Sequence, residues 1–171
     1  MTKIITFLTM FLFLWTGNIY SQDNQLTAKE KKEGWVLLFN GKNLDGWTSV
    51  GKDAPPAFGW VVENGILNVR KQGDKRGGDI ITRDQYSDFD LKVDFRITKG
   101  ANSGIKYFFT KYEKGGWLGL EYQILDDENH PDAKLGKDGN RQSASLYDMI
   151  PAKPQNSKPF GQWNKGKIMC Y

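Results

Sequence analysis

Apolar and polar residues alternate strictly through residues 89–98, FDLKVDFRIT. In a β-strand, side chains at every second position lie on the same side of the sheet. The segment is therefore predicted to be an antiparallel strand with one buried side and one solvent-facing side. The predicted buried side comprises Phe89, Leu91, Val93, Phe95 and Ile97.

Shorter apolar runs, separated by Gly, Asn, Asp and Pro, predict the remaining strands. They lie at 35–39, 60–63, 66–70, 104–110, 118–125, 143–147 and 165–171. Asn64 and Gly65 predict a two-residue hairpin. The single helix signal is Thr27 and Glu30 in capping-box spacing, with Gly34 placed to end a short helix. Many short strands and almost no helix predict an all-β fold, an antiparallel β-sandwich.

The first residues have the pattern of a secretory signal peptide, because Lys3 precedes an apolar run from Ile4 to Trp15 and small or polar residues follow. An uncleaved anchor is the alternative. The run has roughly 13 residues, against the ~20 that a membrane span needs, so no span is expected after signal removal. A secreted protein in the periplasm or outside the cell is expected. The predicted organisation is a signal peptide at 1–21, an N-terminal segment with a short helix at 22–34 and a β-sandwich domain at 35–171.

Composition narrows the class of protein. Loss of Lys3 with the signal leaves 23 basic and 20 acidic residues. This excess of positive charge is too small to favour binding to nucleic acid. Cys170 is the only cysteine, so the chain has no internal disulfide and depends on a packed core. Aromatic residues make up 13%, which suits both a sandwich core and stacking on sugar rings. The final run KGKIMCY is typical of a strand that stops part-way, which predicts a domain incomplete at its C-terminus, a natural end being the alternative.

Five segments in this order resemble the secreted bacterial 3-keto-disaccharide hydrolase domain family. They are GWVLLFNGKNLDGW (34–47), WVVENGIL (60–67), FDLKVDFRITKGANSGIKY (89–107), EYQILDDENHPDA (121–133) and GQWNKGKI (161–168). The resemblance implies a jelly-roll sandwich of the concanavalin A-like type and cleavage of glycosidic bonds in sugars already oxidised at C3. It also implies a separate sugar 3-dehydrogenase, since the chain has no dinucleotide-binding motif. An arginine common in the family is absent where this chain reads IKYFFT, so its role does not carry over.

The strand predicted at 118–125 carries the leading candidate for chemistry. Alternation places Glu121 and Gln123 side by side on the face opposite the core. Sandwich glycosidases of the superfamily use Glu-x-Asp-x-Glu, with two carboxylates held about 5 Å apart. Here the alternate positions read Glu121, Gln123 and Leu125, so two-carboxylate hydrolysis from this strand is disfavoured.

A ketone at C3 of the sugar offers another route, because it acidifies the C2 proton and allows β-elimination of the group at C1. Glu121 is the candidate base, and His130 a candidate acid or metal ligand. A divalent cation is a candidate stabiliser of the enolate, with Asp126 and Asp132 as candidate ligands. Ordinary acidic turn residues are the alternative interpretation of that cluster. Candidate substrate-binding residues are Gln123, Asn102, Ser103, Tyr107, Trp117 and Lys153.

Two functions from different classes remain open on the sequence. The first is an enzyme that cleaves 3-keto-glycosides or 3-keto-disaccharides. The second is a non-catalytic carbohydrate-binding module that uses the same face and its aromatic residues. They differ at Glu121, which a binding module could replace with glutamine at little cost.

Overall fold

The computed structural model describes residues 23–71, 73–113 and 115–171, so the predicted signal peptide at 1–21 lies outside the described residues. The described chain forms two compact units, divided after Gln85. Its elements are α1 (Ala28–Lys32), β1 (Trp47–Ser49), β2 (Trp60–Glu63), β3 (Ile66–Val69), β4 (Ile80–Thr82), β5 (Phe89–Phe95), β6 (Asn102–Lys111), β7 (Trp117–Leu125), a 3-10 turn (Pro131–Lys134) and β8 (Asn164–Cys170). The fold is all-β, as predicted. Within the described ranges, no helix has the length and apolar character needed to cross a membrane.

The short helix α1 of the first unit begins as predicted. The Thr27 hydroxyl accepts a hydrogen bond from the Glu30 amide at 3.2 Å, and the Glu30 carboxylate accepts one from the Thr27 amide at 2.9 Å. These two bonds satisfy amide groups that the first helical turn leaves unpaired. Gly34 follows with a φ of +83°, a conformation that suits glycine after a helix end. The capping-box prediction is confirmed.

Strands β2 and β3 form the predicted hairpin, with Glu63 opposite Ile66. Asn64 has a φ of 52° and Gly65 a φ of 75°, the left-handed pair that a two-residue turn requires. Elsewhere in this unit β1 pairs antiparallel with β4.

The strand predicted at 35–39 is wrong. No strand forms there, and Val36 and Leu37 are exposed. Apolar β-formers become a strand only when a neighbouring backbone pairs with their amides and carbonyls. The sequence pattern indicates only that these residues favour an extended conformation. Whether another strand lies beside them to pair with their backbone is decided by the tertiary structure.

The second unit is an antiparallel sandwich of two layers. One layer is β5 paired with β8, and the other is the β6–β7 hairpin. Phe95 of β5 meets Tyr122 of β7 edge-on, with ring centroids 6.4 Å apart. Gly166 of β8 lies against the same tyrosine, because a Cβ there would come within 3.2 Å of the Tyr122 Oη. The layers are therefore in van der Waals contact.

The alternation predicted along β5 is confirmed. Side chains on its inward side are buried or half-buried, whereas Lys92, Asp94 and Arg96 are exposed. Pairing in register sets Leu91 opposite Ile168 and joins the apolar sides of both strands. One face of this layer thus lies on the core and the other is solvated.

The strand predicted at 143–147 is irregular. Three backbone hydrogen bonds run between it and β7: Ala144 N to Gln123 O at 2.8 Å, Gln123 N to Ser145 O at 3.0 Å and Tyr147 N to Glu121 O at 2.9 Å. Ala144 has a φ of 66°, which turns the chain and breaks the extended conformation. The segment still covers one edge of β7, so β7 lies between β6 and this segment and is central.

Candidate active site

Lys106 lies directly opposite Glu121 across the β6–β7 pair. Residues opposite each other in an antiparallel pair share a face, which we call the Glu121 face. The Lys106 Nζ lies 3.6 Å from the Glu121 Oε2, and the Glu121 side chain is 21% exposed. The ammonium compensates part of the cost of removing this carboxylate from water. The result is a solvent-accessible carboxylate beside a positive charge.

Gly104 allows the Glu121 carboxylate to lie against the neighbouring strand. A Cβ at Gly104 would stand 2.1 Å from the Glu121 Oε1, far inside van der Waals contact. The missing side chain therefore makes the space that the carboxylate occupies. Gly104 pairs with Gln123, one step along the same face.

Gln123 shares the Glu121 face but is covered. Its side chain is 1% exposed, and its Oε1 accepts a hydrogen bond from the Ile124 amide at 3.2 Å. Both its backbone groups bond to the segment at 144–145. The structure therefore places Gln123 beneath that segment and not on an open groove.

Tyr147 joins the Glu121 strand to the loop that follows it. Because Tyr122 bridges Leu146, Tyr147 is the neighbour of Glu121 on the other edge of β7. The Tyr147 hydroxyl donates a hydrogen bond to the Asp132 Oδ2 at 2.9 Å. Burial, with the hydrogen bond to Asp132, raises the pKa of Tyr147, so the hydroxyl keeps its proton and remains a donor.

Arg141 holds two carboxylates of this loop. Its Nη1 donates to the Asp132 Oδ1 at 3.1 Å, and its Nε and Nη2 donate to the two oxygens of Asp148 at 2.8 and 3.1 Å. The guanidinium also lies 5.4 Å from the centroid of the Tyr147 ring. Hydrogen bonding to Arg141 lowers the pKa of Asp148. One arginine thus holds both carboxylates and lies against Tyr147, the residue next to Glu121 on this edge of β7.

His130 caps the 3-10 turn. Its Nδ1 accepts a hydrogen bond from the Asp132 amide at 3.2 Å, and its own amide donates to the Asp126 carbonyl at 2.9 Å. An imidazole nitrogen that accepts a hydrogen bond carries no proton, so the proton of the neutral ring lies on Nε2. His130 therefore offers an N–H donor at Nε2. Asp132, which fixes this tautomer, is the residue that Tyr147 and Arg141 bind.

The two predicted metal ligands are each held by protein groups. Asp126 is 2% exposed, and its Oδ2 accepts hydrogen bonds from the Gly100 amide at 2.7 Å and the Asn129 side chain at 2.8 Å. Burial raises the pKa of Asp126, but these bonds outweigh it and leave the pKa below its usual value. Both oxygens of Asp132 are bound by Tyr147 and Arg141. Over the described ranges, no three His, Cys, Asp or Glu side chains are grouped as metal ligands would be.

The predicted binding residues of β6 are divided between its two faces. Asn102 is exposed and lies on the Glu121 face, opposite Leu125. Ser103 and Tyr107 point to the other face. Tyr107 meets Phe89 edge-on there at 6.2 Å, and burial raises its pKa. The structure therefore brings only Asn102 of these three to the side of Glu121.

Trp117 and Lys153 lie at the periphery. Trp117 begins β7, is 36% exposed and packs edge-on against Phe109 at 5.7 Å. Alternation places Trp117 on the same face of β7 as Glu121. The two residues are four positions apart, however, which is roughly 13 Å along an extended strand. Lys153 is exposed in the segment after the irregular edge of β7.

Sequence reasoning missed Lys106, Gly104 and Arg141. Alternation along β6 sets Gly104 and Lys106 on one face, but only the register with β7 shows that Glu121 lies there. Arg141 stands in the polar turn DGNRQS, which carries no local signal for its partners. Each residue acquires its role from contacts distant in sequence.

Replacing Arg141 with methionine is expected to lower the melting temperature by several degrees. Asp132, whose side chain is only 15% exposed, would then lose its charged partner. The matched control is Arg70→Met, because Arg70 pairs with Glu63 through side chains that are 55% and 44% exposed. An exposed pair contributes little, so the control should melt near the wild type. Equal shifts in both variants would contradict a structural role for the Arg141 pairs.

Comparison with known proteins gives consistent matches. The family model of the 3-keto-alpha-glucoside-1,2-lyase-like domain matches residues 34–171. A 3-keto-disaccharide hydrolase of Bacteroides thetaiotaomicron is 48% identical over 155 residues, which cover 81% of this chain and 53% of that protein. The chain thus spans about half the length of this curated relative.

Two crystal structures from Parabacteroides distasonis, each described as a candidate glycosyl hydrolase, are also similar. One has a TM-score of 0.70 and 32% identity, covering 86% of this chain and 69% of that chain. The other has a TM-score of 0.52 and 26% identity, covering 78% of this chain and 51% of that chain.

Proposed function

Because the chain belongs to the family of 3-keto-alpha-glucoside-1,2-lyase-like domains, we propose that it cleaves the glycosidic bond of 3-keto-glycosides, including 3-keto-disaccharides. The name of the Bacteroides relative supports this substrate class. The observation that carries the proposal is the pair of Glu121 and Lys106, a carboxylate beside an ammonium on the accessible side of a central strand.

The composition of the Glu121 face favours elimination over direct displacement. A two-carboxylate mechanism needs a second acid near Glu121. The next two positions on that face are Gln123 and Leu125, which are 1% and 2% exposed. One base with nearby positive or N–H donors suits removal of an acidic C–H proton.

In the proposed reaction, Glu121 takes the proton from C2 of the sugar. The C2–H electron pair becomes the enolate of the C3 ketone, and the Lys106 ammonium, 3.6 Å from the Glu121 Oε2, is the positive charge proposed to stabilise it. The enolate then expels the C1 oxygen, forming a C1–C2 double bond, and the leaving oxygen takes the proton that Glu121 had removed, which restores the carboxylate. Addition of water across that bond completes net hydrolysis. His130, whose Nδ1 accepts a hydrogen bond from the Asp132 amide, is the proposed second hydrogen-bond donor, through the N–H at Nε2.

The test is to incubate the protein with a 3-keto-disaccharide and with the unoxidised parent sugar. We expect products only from the oxidised sugar, because without the ketone the C2 proton is too weakly acidic for a carboxylate. Deuterium at C2 should be lost to solvent or should slow the reaction. Cleavage of the parent sugar at a comparable rate, with the C2 label retained, would refute the mechanism. Binding of either sugar with no product would favour the carbohydrate-binding module.

Export and substrate supply belong to the same proposal. The basic and apolar pattern of residues 1–21 supports secretion to the periplasm or beyond, with 22–34 as a leading segment and 35–171 as the sugar-cleaving domain. A separate dehydrogenase would oxidise the sugar at C3 before it reaches this protein.

A further inference from the structure

The Glu121 face is closed on one side of the carboxylate and accessible on the other. Toward the C-terminal end of β7, Gln123 is 1% exposed and lies beneath the segment at 144–145. Toward the N-terminal end, Gly119 carries no side chain and Trp117 is 36% exposed. A substrate with its C2 proton at Glu121 can therefore extend along β7 toward Trp117.

A β-bulge in β6 brings Phe109 onto this accessible part of the face. The pairing of β6 with β7 shifts by one residue between Tyr107 and Thr110. In a regular strand, Phe109 would lie on the face opposite Lys106, because the two residues are three positions apart. The extra residue of the bulge reverses the alternation and sets Phe109 opposite Gly119. The contact agrees, since a Cβ at Gly119 would stand 2.5 Å from the Phe109 Cβ.

The bulge holds Phe108 in a strained backbone conformation. Its φ is 50°, in the left-handed region that bulky residues rarely adopt. Ring contacts with Phe89 and Tyr107, at centroid distances of 6.0 and 5.7 Å, keep Phe108 in place. Bulges occur next to active sites, where they re-aim a side chain, and strain of this kind concentrates at functional sites. Here the side chain that is re-aimed is Phe109, two positions along the face from Glu121.

Phe109 and Trp117 form an aromatic corner. Their ring centroids lie 5.7 Å apart and their planes meet at 89°. A flat ring can stack on one of them and meet the other edge-on, the two arrangements that aromatic pairs prefer. Among Phe109, Trp117 and Gly119, the indole N–H of Trp117 is the single polar side-chain group. Hydroxyl groups placed here would lose water without gaining enough partners, so the corner favours an aromatic group over a polar one.

We propose that Phe109 and Trp117 bind the group that leaves from C1 and give the protein a preference for an aromatic leaving group. The inference rests on the proposed function, because it assigns the part of the substrate that departs with the C1 oxygen. The polar side chains Glu121 and Lys106 remain with the oxidised sugar, and the aromatic corner receives the group beyond the bond that breaks.

The experiment compares kcat/KM for the benzyl and the cyclohexylmethyl glycosides of 3-keto-glucose, in the same anomeric form. Both release a primary alcohol, so the acidity of the leaving group does not separate them and the aromatic ring does. The wild type should prefer the benzyl glycoside about threefold to tenfold, the scale of one aromatic pair. Phe109→Leu should bring the ratio close to one, and Trp117→Leu should lower it. Both variants should keep most of their rate on the cyclohexylmethyl glycoside.

The matched control is Phe160→Leu, which removes a phenylalanine that is 38% exposed and lies near Leu125, at the other end of β7. This control should keep the wild-type ratio. Calorimetric titration of Glu121→Gln with the same two glycosides should show the same preference in Kd, because this variant binds without turnover.

The two proposals fail differently. If the wild type cleaves neither glycoside, the proposed function fails, and the ratio of the two Kd values still decides the role of the aromatic corner. Equal cleavage and equal binding of the two glycosides, or no binding of either, would overturn the inference. A benzyl preference that survives in folded Phe109→Leu and Trp117→Leu would overturn it as well.

Discussion

Glu121→Gln should reduce turnover of a 3-keto-disaccharide by about 10² to 10⁴, the usual contribution of a positioned general base. Glutamine keeps the shape of the side chain and lies beside Lys106 as before, but it cannot take a proton from C2. Sugar binding should persist, so the loss should fall on kcat and not on KM. Steady-state kinetics with the oxidised substrate measure both values.

The matched control is Glu63→Gln, at the exposed end of β2, which should retain full turnover. Loss of C2 deuterium exchange in Glu121→Gln, but not in the control, would identify the proton-transfer step. A Glu121→Gln variant with wild-type kcat would place the base elsewhere in the protein.

Gly104→Ala should reduce turnover by roughly 10², the effect expected when a reacting group moves by about 1 Å. The new Cβ would stand 2.1 Å from the Glu121 Oε1, so the carboxylate must move. Because the contact is with the end of a flexible side chain, the side chain can rotate away and the fold should be retained. The expected signature is a low kcat with a nearly unchanged melting temperature.

Gly119→Ala on the next strand provides the contrasting variant. A Cβ there would stand 2.5 Å from the Phe109 Cβ and 2.7 Å from its Cα, a contact with backbone that cannot rotate away. This variant should lose stability by about 1–3 kcal/mol. Its folded molecules should keep the position of Glu121 and therefore its kcat. The interpretation of Gly104 fails if Gly104→Ala turns over substrate normally, or if it loses stability as Gly119→Ala does.

The sequence alone determined features set by neighbours along the chain. Alternation over residues 89–98 predicted β5 because the pleat of a strand has a period of two. Thr27 and Glu30 predicted the start of α1, and Asn64 with Gly65 predicted the hairpin, because their hydrogen bonds and dihedral angles involve only residues within one turn. The ordered motifs also predicted the family, which the family model confirms for residues 34–171.

The tertiary structure decided what depends on pairing between distant segments. The apolar run at 35–39 forms no strand despite its propensity, since a strand requires a partner backbone. Register placed Lys106 and Gly104 beside Glu121 and turned Tyr107 to the other face, because a shift of one residue exchanges the faces of a strand. The ion pairs of Arg141 with Asp132 and Asp148 depend on how the loop packs against the edge of β7. The candidate base could be named from the sequence, whereas the charges and the space around it come from contacts that no local pattern encodes.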